Sequence, residues 1–420
     1  MTARTGAARI AAGLITALVA TAPASAQTIA ITGGTVHPVG APVIDGGTVL
    51  IRDGRIIAVG RDVAIPTGAR RIDARGKVVT PGLIHASSEL GLLEVGSVDA
   101  TNERTSAGDV VASFDVAEGI DPRSVRIPVA RTEGVTAAMA VPTGGIFSGQ
   151  AALIALAGSR MEEMLRVRDA AMAGNFGNAL KAAGGGSHAA GLARVRRILE
   201  DARDYDRRRA DYRRADMQEL SAPASELEAL LPVLRGAVPL YVVANAERDI
   251  LNALRIADEF DIRLIVRGGT EAWKVAAELA EAKVPVALDA YANIPDFESM
   301  EVRWDNAALL AEAGVAVVLY EGGDGGPRNL RFAAGHAVRN GLPWDAALEA
   351  ITLAPARAFG AGTTMGSLAP GRTADIVVWS GDPFEFSTRP EHVFIGGEEI
   401  PATSRQSELL ERYRTLPPKP

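Results

Sequence analysis

The spacing of hydrophobic positions changes twice along the chain. From Thr28 to about Thr80 apolar and polar residues alternate over short runs, as in TIAITGGTVHPVG, GTVLIRDGRIIAVG and GARRIDARGKVVT, which predicts strands with one buried face. Asp53-Gly54 falls between two such runs and predicts a hairpin. Near the other end, GSLAPGRTADIVVWSGDP and VFIGGEEI supply three more short strands. Between these ends, uninterrupted apolar runs take turns with amphipathic stretches of helical period. AVPLYVVAN precedes AERDILNALRIADEF, IRLIVRGG precedes TEAWKVAAELAEA, VPVALDA precedes a helix near WDNAALLAEA, and VAVVLYEGG precedes NLRFAAGHAVRNG. GVTAAMAVP reads as a strand, and GQAALIALAG as another strand or a hairpin.

Strands apolar on both faces need cover on both faces, so the middle predicts a parallel sheet clad in helices. The expected fold is α/β: a (β/α)8 TIM-like barrel over residues 81–360 plus a small composite β-sandwich built from 27–80 and 361–420. A doubly wound open sheet is the alternative. One stretch fits the repeat poorly. Residues 191–220 hold nine arginines among acids, with Leu192, Val195, Leu199 and Ala202 at helical spacing, and read as a long solvated helix laced by ion pairs. The preceding AAGGGSHAA, with His188, reads as a flexible hinge; it lacks the lysine and spacing of a phosphate loop.

The start, MTARTGAARIAAGLITALVATAPASAQ, has Arg4 and Arg9, an apolar run from Ile10 to about Ala22, and the small triplet Ala24, Ser25, Ala26. This is the pattern of a secretory signal peptide (1–26) cleaved after Ala26, and it predicts a periplasmic or secreted protein with no membrane span after cleavage. The 420-residue chain has no cysteine, which excludes disulfides and thiolate zinc sites. A net charge of −7 argues against nucleic-acid binding, which relies on clustered Lys and Arg.

The order DGRIIAVG, GKVVTPGLI, an alternating α/β middle, ALEAITLAPARAFG and GSLAPGRTADIVVWSGDP resembles the amidohydrolase superfamily, in particular its imidazolonepropionase-like branch. The resemblance implies a barrel with one or two metal ions at the C-terminal ends of its strands, hydrolysing non-peptide C–N bonds such as amides and cyclic amides. Zinc or another divalent ion in such a site binds imidazole and carboxylate and lowers the pKa of its bound water. The family's first-strand Asp and HxH histidines correspond here to His85, Ser87 and Glu89. The bridging lysine corresponds to Ala155, the fifth-strand histidine to Val243 or Asn245, and the sixth-strand histidine falls near Arg267, Gly268 and Gly269. The eighth-strand aspartate corresponds to Glu321 or Asp324. Five histidines exist in all, and of these only His85 falls where the resemblance places the mouth.

Two readings follow. The first is a member with its metal ligands replaced, catalytically impaired, binding a small molecule or acting as a partner subunit to an active relative or a second copy. The second is an active hydrolase with a remodelled carboxylate-based or mononuclear site using His85, Glu89 and Glu321, whose oxygen ligands favour Mg, Ca or Mn. Candidate catalytic residues are His85, Glu89, Glu321 and Asp324; candidate ligand-binding residues are Ser87, Gln150, Asn245 and Arg267. No metal ligand and no cofactor is assigned. Ser87 and Ser88 lack the GxSxG turn of a nucleophile elbow.

Overall fold

The computed structural model describes residues 28–415 except 106, 215, 217, 298, 324 and 325. The expected signal peptide and Asp324 therefore lie outside the described residues. Sixteen strands are described: β1 (Ile29–Val36), β2 (Ile44–Arg52), β3 (Arg55–Gly60), β4 (Arg70–Asp73), β5 (Val78–Pro81), β6 (Leu83–Ser88), β7 (Val135–Ala140), β8 (Phe147–Ala155), β9 (Leu165–Asn175), β10 (Leu240–Ala244), β11 (Leu264–Gly268), β12 (Val286–Asp289), β13 (Val317–Tyr320), β14 (Ile376–Trp379), β15 (Pro390–Ile395) and β16 (Glu398–Ile400).

Strands from both ends share one eight-stranded sheet, in the order β16-β15-β14-β5-β1-β2-β3 with β4 on β1. The two ends meet where β5 runs antiparallel to β14, with Pro81 opposite Ile376. Ile31, Val49, Ile56, Val79, Ile376 and Phe394 pack one face of it. The middle forms a second eight-stranded sheet, β13-β12-β11-β10-β9-β8-β7-β6, which curls until β13 lies beside β6. Among the described residues no ladder joins β13 to β6, so the barrel has a seam.

The barrel departs from a regular (β/α)8 repeat at one place. β8 runs antiparallel to both β7 and β9. Only residues 141–146 separate β7 from β8, too few for a crossover that would bring the chain back parallel. The reversal also moves Ala155: it pairs with Ala137, near the start of β7, and so sits at the end of the barrel away from the mouth. Its equation with the bridging-lysine position is thereby overturned. The residue that ends the neighbouring strand at the mouth is Asn175, whose Oδ1 accepts from Gly177 N at 2.9 Å.

His188 is likewise no hinge. It opens a helix, His188–Arg207, whose preceding Ser187 side chain accepts from Ala190 N and supplies the N-cap. That helix buries Val195, Ile198, Leu199 and Ala202, and its outer face carries ion pairs such as Arg194–Asp109 and Arg196–Glu259, both at 2.7 Å. A separate short helix, Arg209–Arg213, follows, so the arginine-rich stretch is two helices rather than one. Within the first sheet, buried Trp379 of β14 donates from its indole to Thr80 Oγ1 of β5 at 2.8 Å. Gly134 lies against it with φ +81°, where an added Cβ would stand 2.4 Å from the ring.

Candidate functional site

Successive residues of a strand face opposite ways, so one barrel-facing set recurs every second position. Ile84, Ala86, Met139, Tyr241, Ile265, Ala287 and Val318 form the packed interior. Tyr241 spans it, donating to Ala86 O at 3.2 Å and meeting Phe359 edge-on at 5.2 Å. Two residues further along the same strands come Val243, Arg267 and Tyr320, which line a cavity of about 700 Å³ with Ser87, Glu89, Glu94, Arg104, Arg126 and Glu321. The interior ends where this cavity begins.

His85 is fully buried. Ser87 N donates to its Nδ1 at 3.3 Å, and its Nε2 lies 3.1 Å from both the O and the N of Glu321. Both nitrogens are thus taken by backbone of β6 and of the segment leaving β13. The imidazole clasps the seam that no ladder closes. Burial lowers its pKa to about 4, only partly opposed by the Glu321 hydrogen bond, so it is neutral at pH 7.

Glu89 is held by two guanidiniums, in contact with Arg104 and 3.6 Å from Arg126. Arg126 also donates to Leu93 O at 2.9 Å. Glu321 is buried, and its Oε1 accepts from Gly323 N at 2.9 Å. Beside it Asp289, at the end of β12, accepts from Tyr291 N and Gly322 N at 2.8 and 3.0 Å. Burial raises the Asp289 pKa despite those two donors. Desolvation likewise pushes the Tyr320 phenol up to about 12, with Arg267 pulling the other way.

Arg267 ends β11. Its guanidinium lies 5.4 Å from the Tyr241 ring centre and donates to Ser87 Oγ at 3.5 Å. Among the described residues it makes no ion pair. The chain leaves the strand at once through Gly268, φ +90°, where an added Cβ would lie 2.1 Å from Asn245 Oδ1. Any side chain there would displace Asn245, which explains the glycine.

Of the sequence candidates, Ser87, Glu89, Arg267 and Glu321 come together around the cavity, and His85 lies behind it. Gln150 and Asn245 do not line it. Gln150 donates from Nε2 to Ala112 O at 3.2 Å on antiparallel β8, and Asn245 lies beneath the β11 turn. Arg104, Arg126, Glu94, Asp289 and Tyr320 were not singled out by the sequence. Asp289 and Tyr320 end apolar strands, the same signal that marked Arg267. The other three sit in irregular loops or a short helix with no period to mark them.

Among the described residues, the donor set at the mouth does not fit a hydrolytic metal centre. No group of three or more His, Asp or Glu able to hold an ion occurs among the described residues. At the mouth an arginine and a valine occupy strand ends, and the nearby imidazole has both nitrogens engaged.

Residues 257–400 match the amidohydrolase family. The chain carries an amidohydrolase-family domain. A solved amidohydrolase from Thermotoga maritima MSB8 superposes with a TM-score of 0.81 at 28% identity, covering 90% of this chain and 100% of that one. The amidohydrolase tasK of Hapsidospora irregularis is 25% identical over 393 residues, 84% of this chain and 39% of that protein. A 5-methylthioadenosine/S-adenosylhomocysteine deaminase of Symbiobacterium thermophilum is 41% identical over 73 residues, 16% of this chain and 17% of its own length. The chain thus spans about two fifths or less of the curated relatives it matches.

Proposed function

We propose that this amidohydrolase-fold chain binds a small carboxylate-bearing molecule at the barrel mouth, anchored by Arg267, and does not activate water on a metal. The observation that carries this reading is the Arg267 guanidinium itself. It lines the cavity near a strand end, seated over Tyr241, with a serine hydroxyl and, among the described residues, no carboxylate as partner. A guanidinium presents a planar fork that takes a carboxylate in bidentate fashion, and a partly dry cavity strengthens that pairing.

The test is calorimetric titration with N-acetyl-L-leucine, alongside melting in the presence of Zn or Mn. Binding to the wild type and at least a tenfold loss in Arg267→Met, about 1.4 kcal/mol, is the expected result. Addition of metal should not raise the melting temperature. Near-stoichiometric metal in the purified protein, together with amide hydrolysis, would overturn the reading.

The raised pKa of Asp289 beside Glu321 supports a second reading, a hydrolase with a carboxylate-based site at the ends of β12 and β13. His85 and Glu89 are engaged elsewhere and have no part in it. Loss of a measured hydrolysis rate in Asp289→Asn would favour this reading over the first.

A further inference from the structure

Most charges around the cavity are already matched. Glu89 faces Arg104 and Arg126, and Glu321 accepts from the backbone of Gly323. Among the described residues two groups are left over. One is Arg267. The other is Glu94, whose Oε1 is shut off from solvent with no hydrogen-bond partner and whose side chain forms no ion pair among the described residues.

Glu94 is not loosely placed. Its own N–H bonds Thr101 O, Glu103 N donates to Leu92 O at 2.8 Å, and Thr101 Oγ1 accepts from Val95 N at 3.1 Å, pinning the loop on both sides. Holding a carboxylate oxygen out of water without a donor costs free energy. Arg267 comes from β11 and Glu94 from the loop after β6, so they approach the same space from different walls and do not pair with each other. Among the described residues the cavity of about 700 Å³ therefore presents one unmatched cation and one unmatched anion, and its size is within the usual range for small-molecule sites.

We infer that the ligand is a zwitterion with a free ammonium as well as a carboxylate, an amino acid or short peptide with free termini. This rests on the pocket reading above. The carboxylate takes Arg267 and the Ser87 hydroxyl; the ammonium supplies the donor that Glu94 Oε1 lacks. A simple carboxylate satisfies only the first pole and leaves Glu94 Oε1 without a donor. Charge balance around the cavity points the same way, because Arg104, Arg126 and Arg267 face Glu89, Glu94 and Glu321, and a net-neutral ligand leaves that balance intact.

The experiment compares L-leucine and L-alanyl-L-leucine with their N-acetylated forms, titrated into wild type, Glu94→Gln and Arg267→Met. At least one free form should bind tenfold or more tighter than its acetylated counterpart. Glu94→Gln should erase that advantage while leaving the acetylated form unchanged, whereas Arg267→Met should weaken both. Equal affinity for free and acetylated forms, with Glu94→Gln silent but Arg267→Met effective, overturns the zwitterion and spares the pocket. No binding by any probe, or no effect of Arg267→Met, overturns both. Glu94→Gln keeps the shape and removes an unpaired charge, so its melting temperature should match the wild type. Were it not to fold, the acetylation comparison decides alone.

Discussion

The interior of the barrel and its mouth are made by the same strands two residues apart, yet they obey different rules. Tyr241, Ile265 and Val318 belong to the packed interior, while Val243, Arg267 and Tyr320 line the open cavity. Below, a residue is fixed by the volume it fills, so nearly any apolar side chain of suitable size serves. Above, the chemical identity of single groups decides what the protein can hold. The difference teaches that an intact framework says little about the chemistry on top of it.

Removing the interior's largest member should have the largest effect. Tyr241→Ala empties a fully buried aromatic position, deletes the hydrogen bond to Ala86 and withdraws the surface under Arg267. Chemical denaturation should show a loss of about 3–5 kcal/mol, and ligand binding should fall with it. If binding survived a folded Tyr241→Ala protein unchanged, interior and mouth would be independent.

His85 lies on the boundary between the two and gives an intermediate effect. Its folded pKa of about 4 lies below its unfolded value of 6.5. Between these values the unfolded chain binds more protons, so stability rises with pH. The contribution is fully present above 6.5 and is lost as pH falls toward 4, by on the order of 3 kcal/mol. Urea denaturation at pH 7, 5.5 and 4 should show a steeper acid loss in wild type than in His85→Gln. An NMR titration placing the His85 ring near 6.5 would remove the clasp from the account.

The smallest effect is expected outside both regions. Glu349→Gln breaks a pair with Arg357, 2.6 Å apart on the surface. Stability should change by no more than about 0.5 kcal/mol, and ligand affinity not at all.

The same contrast explains what could be read from the chain. The apolar runs of β10, β11, β12 and β13 and the helices after them were legible because burial imposes a period. The direction of β8 was not, since an apolar run looks the same pointing either way; only the shortness of residues 141–146 carried the information. Arg267, Ser87, Glu89 and Glu321 were legible as polar groups at or just beyond strand ends. Their partners were not. Nothing in the neighbouring sequence tells that Arg104 and Arg126 would converge on Glu89, or that backbone from the far side of the seam would take up the His85 ring.

The pairing of β5 with β14 has a consequence for synthesis. As the chain leaves the ribosome, the N-terminal strands reach the end of β5 with the β5 edge bare, and some three hundred residues pass before β14 arrives to cover it. An uncovered edge invites association with other chains. Whatever shields that edge in the interval, whether a chaperone or a temporary contact within the nascent chain, governs how much of the protein is made in usable form.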